Sequence, residues 1–254
     1  MSTRFADKVI LITGATSGMG RATAERVAAE GAKVVLAARS KDAGEAFAGE
    51  LHSAGRDALF VPTDVTVEAE MARLVQQAVD HYGRLDGAFN NVGAATAYGS
   101  VTEINGDAWG AELALNLNSV FHGLKHQIPA LQASGGGSIV NNASNLGVTG
   151  MAGMAAYSAA KHGVVGLTRS AALDVAATGV RINALVTGGV DTPLLRGNMG
   201  PNPEEALRAA GAMHPVGRIG RPEEIAAFAA FLLSDEAPFV TGAALAIDGG
   251  LTAL

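Results

Sequence analysis

Tyr157 and Lys161 stand four residues apart, in Tyr157-Ser158-Ala159-Ala160-Lys161. On a helix, residues at i and i+4 share a face. A free tyrosine titrates near pH ~10, so bringing it to neutrality takes ~3 units, or ~4 kcal/mol. A cation on the same face pushes in that direction. A phenol so tuned can give a proton to a carbonyl oxygen or take one from an alcohol. The plainer reading is an ordinary surface pair. Ser144 follows the strand expected at 138–142 and so stands at a C-terminal strand end. A hydroxyl there can bind a substrate oxygen, although such serines more often cap turns.

The second constellation is Thr13-Gly14-Ala15-Thr16-Ser17-Gly18-Met19-Gly20, directly after Val9-Ile10-Leu11-Ile12 and before a helix-like stretch ended by Gly31. A strand, a glycine turn and a helix together aim backbone N–H groups and a helix N-terminus at a pyrophosphate. Tight turns need glycine in any case, so position matters more than the run itself. This run occupies the first strand–helix junction.

The elements that must hold these residues alternate along the whole chain. Strands are expected near 9–13, 33–38, 58–61, 87–90, 138–142, 181–186 and 244–247. Helices are expected near 19–30, 42–54, 68–82, 107–133, 153–177 and 222–234. Apolar strands alternating with helices give a parallel sheet covered on both faces. Right-handed crossovers make it doubly wound, with ligands at the strand C-terminal ends. Residues 191–214 break the pattern: Gly197, Gly200, Pro201, Pro203 and Gly211 leave only 204–210 looking helical. A long irregular insertion after a strand is typically a lid.

The spacing Gly-x3-Gly-x-Gly, with the residues that follow it, resembles the short-chain dehydrogenase/reductase family. The resemblance runs from Lys8 to Gly250. It includes Asp64-Val65, Asn90-Asn91-Val92-Gly93, Asn116, Ser144, Tyr157-x3-Lys161, Asn183, Gly188 with Thr192-Pro193, Gly217-Arg218 with Pro222-Glu223-Glu224, and Thr241-Gly242 with Asp248-Gly249-Gly250. It implies one Rossmann-type α/β domain over 1–254, a doubly wound parallel seven-stranded sheet with helices on both faces, with 191–214 as a substrate lid. It also implies hydride transfer between a nicotinamide cofactor and a carbonyl or secondary alcohol. Tyr157 then donates the proton, Lys161 tunes it and binds the nicotinamide ribose, and Ser144 orients the oxygen. Asn116, rather than its neighbour Asn118, holds a water in the proton relay. Cofactor contacts implied by the resemblance are Gly14, Thr16, Ser17, Gly18, Met19, Gly20, Asp64, Val65, Asn91, Gly93, Tyr157, Lys161, Val190 and Thr192. Thr187-Gly188 replaces the family's Pro-Gly, and Val92 replaces its alanine; neither removes a chemical group.

Cofactor choice turns on Val34-Val35-Leu36-Ala37-Ala38-Arg39-Ser40. An acid at the end of the second strand would accept both ribose hydroxyls of NAD. Ala38 stands there instead, followed by Arg39 and, close by, Lys41. A guanidinium beside an empty pocket suits a 2′-phosphate. NADP, as NADPH, is therefore expected over NAD, against the alternative that Arg39 is merely solvated. Ser17 argues the other way, because many NADP enzymes carry Arg or Lys at that position.

Composition excludes several other classes. In 254 residues, 48% are apolar and 17% charged, with a net charge of −6 and no cysteine. A sizeable core is expected, and nucleic acid or an anionic membrane is not. Disulfides, thiolate catalysis and cysteine-bound zinc cannot occur. The opening residues, 1–8, lack the apolar stretch of a signal peptide, and a cytoplasmic location is expected. His122 and His126 are four apart, but no third ligand accompanies them, so no metal is expected.

Positions that the family resemblance implies should line the substrate pocket are Ala94, Ala95, Asn145, Leu146, Met151, Gly189 and 194–199. They suit an uncharged, partly hydrophobic molecule, with Arg196 the exception. The apolar strip 225–233 reads as core or interface, and 243–254 suits the homotetramer that the resemblance implies. A 3-oxoacyl-[acyl-carrier-protein] reductase ranks second, because 132–137 and 176–179 lack basic residues for so acidic a partner. A non-catalytic dinucleotide-sensing module would be expected to have lost Tyr157 or Lys161.

Overall fold

The computed structural model describes residues 3–253. Met1 and Ser2 of the opening stretch, and Leu254 of the expected interface segment, lie outside the described residues. Seven strands form one parallel sheet: β1 (Val9–Thr13), β2 (Lys33–Ala38), β3 (Ala58–Pro62), β4 (Gly87–Asn90), β5 (Gly137–Asn142), β6 (Val180–Thr187) and β7 (Ala244–Ile247). Their order is β3-β2-β1-β4-β5-β6-β7. The order reverses between β1 and β4, which opens a crevice at their C-terminal ends, where ligands bind in such sheets.

Alternation along the strands divides the core in two. Val9 and Leu11 of β1, with Val35 and Ala37 of β2, face one side. There they pack on α3 (Glu68–Tyr82), α5 (Ser119–Ala133) and α6 (Ala155–Val175). Ile10, Ile12, Val34 and Leu36 face the other, against α1 (Gly18–Ala29), α2 (Lys41–Ser53) and α9 (Pro222–Leu233). Both faces of β1 are buried, so its sequence is continuously apolar. The strip 225–233 is mostly core: Ile225, Ala229 and Leu232 seat α9 in this second layer.

Two expectations need correction. The single helix at 107–133 is α4 (Gly106–Leu113) and α5 joined by a π turn, Ala114–Asn118. There Ser119 N donates to Ala114 O, five residues back. The side-chain amide of Asn116 reaches into this turn and donates to Glu112 O at 3.1 Å, so a polar side chain inserted into the helical ladder accounts for the bulge. The segment 191–214 is also more ordered than its composition suggests. Thr192 caps α7 (Pro193–Gly197), accepting from Leu195 N at 3.2 Å, and α8 (Pro203–Ala212) follows. Both begin on proline, whose fixed φ and missing N–H suit a first helical turn. Among the described residues no helix is long and apolar enough to cross a membrane.

Candidate active site

The glycine turn forms the floor of the crevice. Gly14 and Gly18 have φ of +65° and +51°, a region that L side chains rarely enter. A Cβ on Gly20 would collide with the carbonyl of Gly14. Thr13 and Asn91 brace the turn: Asn91 N donates to Thr13 Oγ1 (3.0 Å) and Asn91 Nδ2 to Thr13 O (3.2 Å). Ser17 is the N-cap of α1, but its side chain bonds none of the helix N–H groups, and no acid stands in the first turn. Those N–H groups are left facing the crevice, where an anion satisfies them.

A cavity of about 400 Å³ extends from this turn. It runs from Gly14 and Thr16 through Met19, past Ala38 and Arg39 to Asp64 and Val65. It returns along Asn91 and Gly93 beneath Thr192. Gly20, Tyr157, Lys161 and the buried Val190 stand outside this lining. Hydrogen bonds from Thr66, side chain first and then backbone, hold the Asp64 carboxyl below its ordinary range, and Arg39 adds through space. Arg39 is exposed at the cavity rim. The uncapped helix, the turn that tolerates no Cβ and the rim guanidinium fit a phosphorylated dinucleotide. A resident NAD(P) would be held by these groups.

At the far end Lys161 is 2% exposed, and its Nζ donates to the carbonyl of Asn142 at 2.8 Å. The ammonium lies 5.6 Å from the centre of the Tyr157 ring. Burial pushes Lys161 down to about 8, against the field of Glu112. Tyr157 moves opposite to the expectation from its neighbouring cation. Burial pushes it up to about 12; a hydrogen bond with Ser144 opposes this, while Glu112 and Tyr98 add to it. Desolvation is the largest of these influences on the phenol. Ser144 Oγ accepts from Leu146 N and donates to Asn145 Oδ1, each at 3.2 Å.

Asn116 is fully buried. Its Oδ1 accepts from Ala94 N (3.0 Å), while Nδ2 donates to Ala94 O (2.8 Å) and to Glu112 Oε1 (3.0 Å). A Cβ placed on Gly93 would stand 2.8 Å from Asn116 Oδ1 and 2.9 Å from Lys161 Nζ. All four expected catalytic residues therefore gather at one end of the crevice. The sequence reading missed three contributors. Asn142 holds Lys161 through its carbonyl, and its Nδ2 bonds Asn91 Oδ1 at 3.1 Å. Thr13 receives Asn91, and Glu112 supports Asn116. Only Glu112 left a usable signal, an acid one helical turn before Asn116 in an otherwise apolar stretch.

The other expected residues disperse. Ala94 and the exposed Leu194 line the cavity, whereas Leu146 is buried, Asn145 half-buried and Met151 exposed. Arg196 is taken up by Asp191 (2.6 Å) and Glu204 (2.7 Å), so its charge is spent within the 191–214 segment. A ring nitrogen of His122 pairs with Val65 O at 3.2 Å, and His126 Nε2 lies 3.5 Å from Glu68.

A family model described as enoyl-(acyl carrier protein) reductase matches residues 14–252. The chain belongs to the short-chain dehydrogenase/reductase family. It is 43% identical to cis-4-hydroxycyclohexanecarboxylate dehydrogenase of Sinomonas cyclohexanicum, over 100% of both chains. Cyclohexanol dehydrogenase of Acinetobacter sp. (strain SE19) is 41% identical, over 99% of this chain and 98% of that protein. The crystal structure of a levodione reductase superposes with a TM-score of 0.94 at 38% identity, covering 98% of this chain and 99% of that one.

Proposed function

We propose that this protein is an NADPH-dependent carbonyl reductase, interconverting a ketone and a secondary alcohol. The observation that carries the reading is the buried Lys161 ammonium 5.6 Å from the Tyr157 ring and beside Gly93 of the phosphate-accepting crevice. A nicotinamide held there would supply or accept the hydride. Tyr157 gives its proton to the carbonyl oxygen, and takes it back when an alcohol is oxidised. Pushed up to about 12, it is protonated at neutral pH in the resting site, ready to act as the acid. Ser144 offers its hydroxyl to the same oxygen. Lys161 brings positive charge beside the phenol, and Asn116 supports the relay by fixing the Ala94 backbone. Arg39 and Ala38 favour the 2′-phosphate of NADP.

The substrate we infer is a small, uncharged, partly hydrophobic ketone or alcohol. Two relatives bear names built on a hydroxylated cyclohexane, which supports a six-membered ring. The exposed Phe239, just before β7, and the partly exposed apolar residues of β7 support self-association as a homotetramer.

The test is oxidation of NADPH and NADH against cyclohexanone, other ketones, quinones, keto-sugars and 3-oxoacyl thioesters, for wild type and Tyr157→Phe. The variant should bind cofactor and keep its circular dichroism while losing ~10²–10⁴-fold in turnover. Turnover of the variant within a few-fold of wild type would remove Tyr157 from its role. A preference for the thioesters would favour the acyl-carrier-protein reading instead.

A further inference from the structure

Glu112, on the last turn of α4, has no exposed surface. None of the chemistry assigned above uses it. Burial of an acid is unfavourable unless its oxygens are fully engaged, and these are. Oε2 accepts from Thr96 N (2.8 Å), Thr96 Oγ1 (2.5 Å) and Ala97 N (2.8 Å), while Oε1 accepts from Asn116 Nδ2 (3.0 Å). Four donors converge on two oxygens, the demand of a carboxylate and not of an amide.

We propose that Glu112 is a positioning residue for hydride-transfer chemistry: it fixes the orientation of the Asn116 amide and, through it, the backbone around Gly93 and Ala94 beside Lys161. The proposal rests on the oxidoreductase reading above. Asn116 pairs with Ala94 in both directions, so its amide has one acceptable orientation, with Oδ1 toward Ala94 N and Nδ2 toward Ala94 O and Glu112. Glutamine at 112 would turn an NH2 toward either Asn116 Nδ2 or the N–H groups of Thr96 and Ala97. Flipping Asn116 to relieve the first conflict would set Nδ2 against Ala94 N. Only an acceptor at both positions of residue 112 leaves every donor satisfied.

The acid also completes the charge pattern of the site. Lys161 is buried with the neutral carbonyl of Asn142 as its hydrogen-bond partner. The negative charge of Glu112 supports its protonated form. The groups facing Tyr157 are Ser144, Lys161, Tyr98 and, through space, Glu112. One carboxylate thus biases both the lysine and the phenol toward keeping their protons.

The experiment compares wild type, Glu112→Gln, Asn116→Ala and the double variant. If Glu112 acts through Asn116, Glu112→Gln should lower kcat roughly ten- to a hundredfold in the wild-type background but less than about twofold in the Asn116→Ala background. KM for the ketone and cofactor affinity by fluorescence titration should stay within about threefold. A readout independent of turnover is the side-chain amide of Asn116 in 15N NMR, assigned by its loss in Asn116→Ala. Its exchange with solvent should be at least about tenfold faster in Glu112→Gln. Unchanged protection, or losses in kcat that simply multiply, would overturn the proposal. If Glu112→Gln does not fold, Glu112→Asp keeps the charge but withdraws the carboxylate from Asn116 Nδ2, and unchanged Asn116 protection there is equally fatal. A wild type inactive on every ketone and alcohol would refute the oxidoreductase reading, and Asn116 protection would then decide for Glu112 alone.

Discussion

Arg39 stands on the cavity rim next to Ala38, where β2 ends without an acid. If its guanidinium clamps a 2′-phosphate, Arg39→Ala should weaken NADPH and leave NADH nearly unchanged. A hydrogen bond to a charged group contributes ~1.5–3 kcal/mol, which is roughly ten- to a hundredfold in affinity. Ala38→Asp should act in the opposite sense, offering the ribose hydroxyls an acceptor and repelling the phosphate. Fluorescence titration of both cofactors reads the result, and tighter NADH than NADPH binding by wild type would leave Arg39 a solvated residue. At this scale the sequence was readable where a residue's place follows from its type and spacing, as for Tyr157 beside Lys161 and Gly20 against Gly14. It was unreadable where the role depends on burial. Spacing suggested a lowered Tyr157, because it registers the nearby cation but not the desolvation that pushes the phenol up to about 12. Glu112 left only a faint signal, one turn before Asn116, for the same reason: an acid in a helix reads as solvated until its burial is known.

Among the elements, the glycine turn and the seven strands followed from apolar runs punctuated by turn residues, and their bounds shift by only a residue or two in the structure. The π turn at Ala114–Asn118 did not, since it arises from the Asn116 side chain competing for a backbone carbonyl. A helical period gives no warning of such competition. The helices of 191–214 were masked by Gly and Pro, although Pro193 and Pro203 begin helices here instead of breaking them. This segment is fastened at both ends. Arg196 ties Asp191 to Glu204, and buried His214 accepts from Gly189 N at 3.0 Å while its other nitrogen meets Ala210 O. Between these points α7 and α8 expose Leu194 and bury only Leu207 and Gly211. If it serves as a lid, amide exchange in 194–212 should be fast in the free protein and slow markedly when cofactor and a substrate analogue bind together, excluding water from the hydride transfer. Exchange equally slow in both states would make it a fixed wall.

The molecule as a whole carries a cost at its catalytic end. Two apolar layers pin β1 and β4 from opposite sides, and beside their crevice, at the end of β5, sits a lysine with almost no contact with water. Lys161 falls from its ordinary 10.5 to about 8, so between those values the unfolded chain binds the proton and the folded one does not. Stability must then rise with pH across that window, the penalty of the buried charge being complete below 8. Tyr157 acts with the opposite sign: raised from 10.0 to about 12, it stays protonated in the fold while the unfolded chain loses its proton. Stability should therefore decline above pH 10. The cofactor-free protein should gain on the order of 2–3 kcal/mol from Lys161 between pH 8 and 10. Urea unfolding at fixed protein concentration, compared with Lys161→Met at each pH, isolates this contribution because distant titrations cancel in the difference. The wild type should approach the variant in stability, or overtake it, as pH climbs from 8 to 10. A difference that stays constant over that range would mean that the amine is solvated in the free protein, and that the charge beside Tyr157 is not held at the expense of the fold.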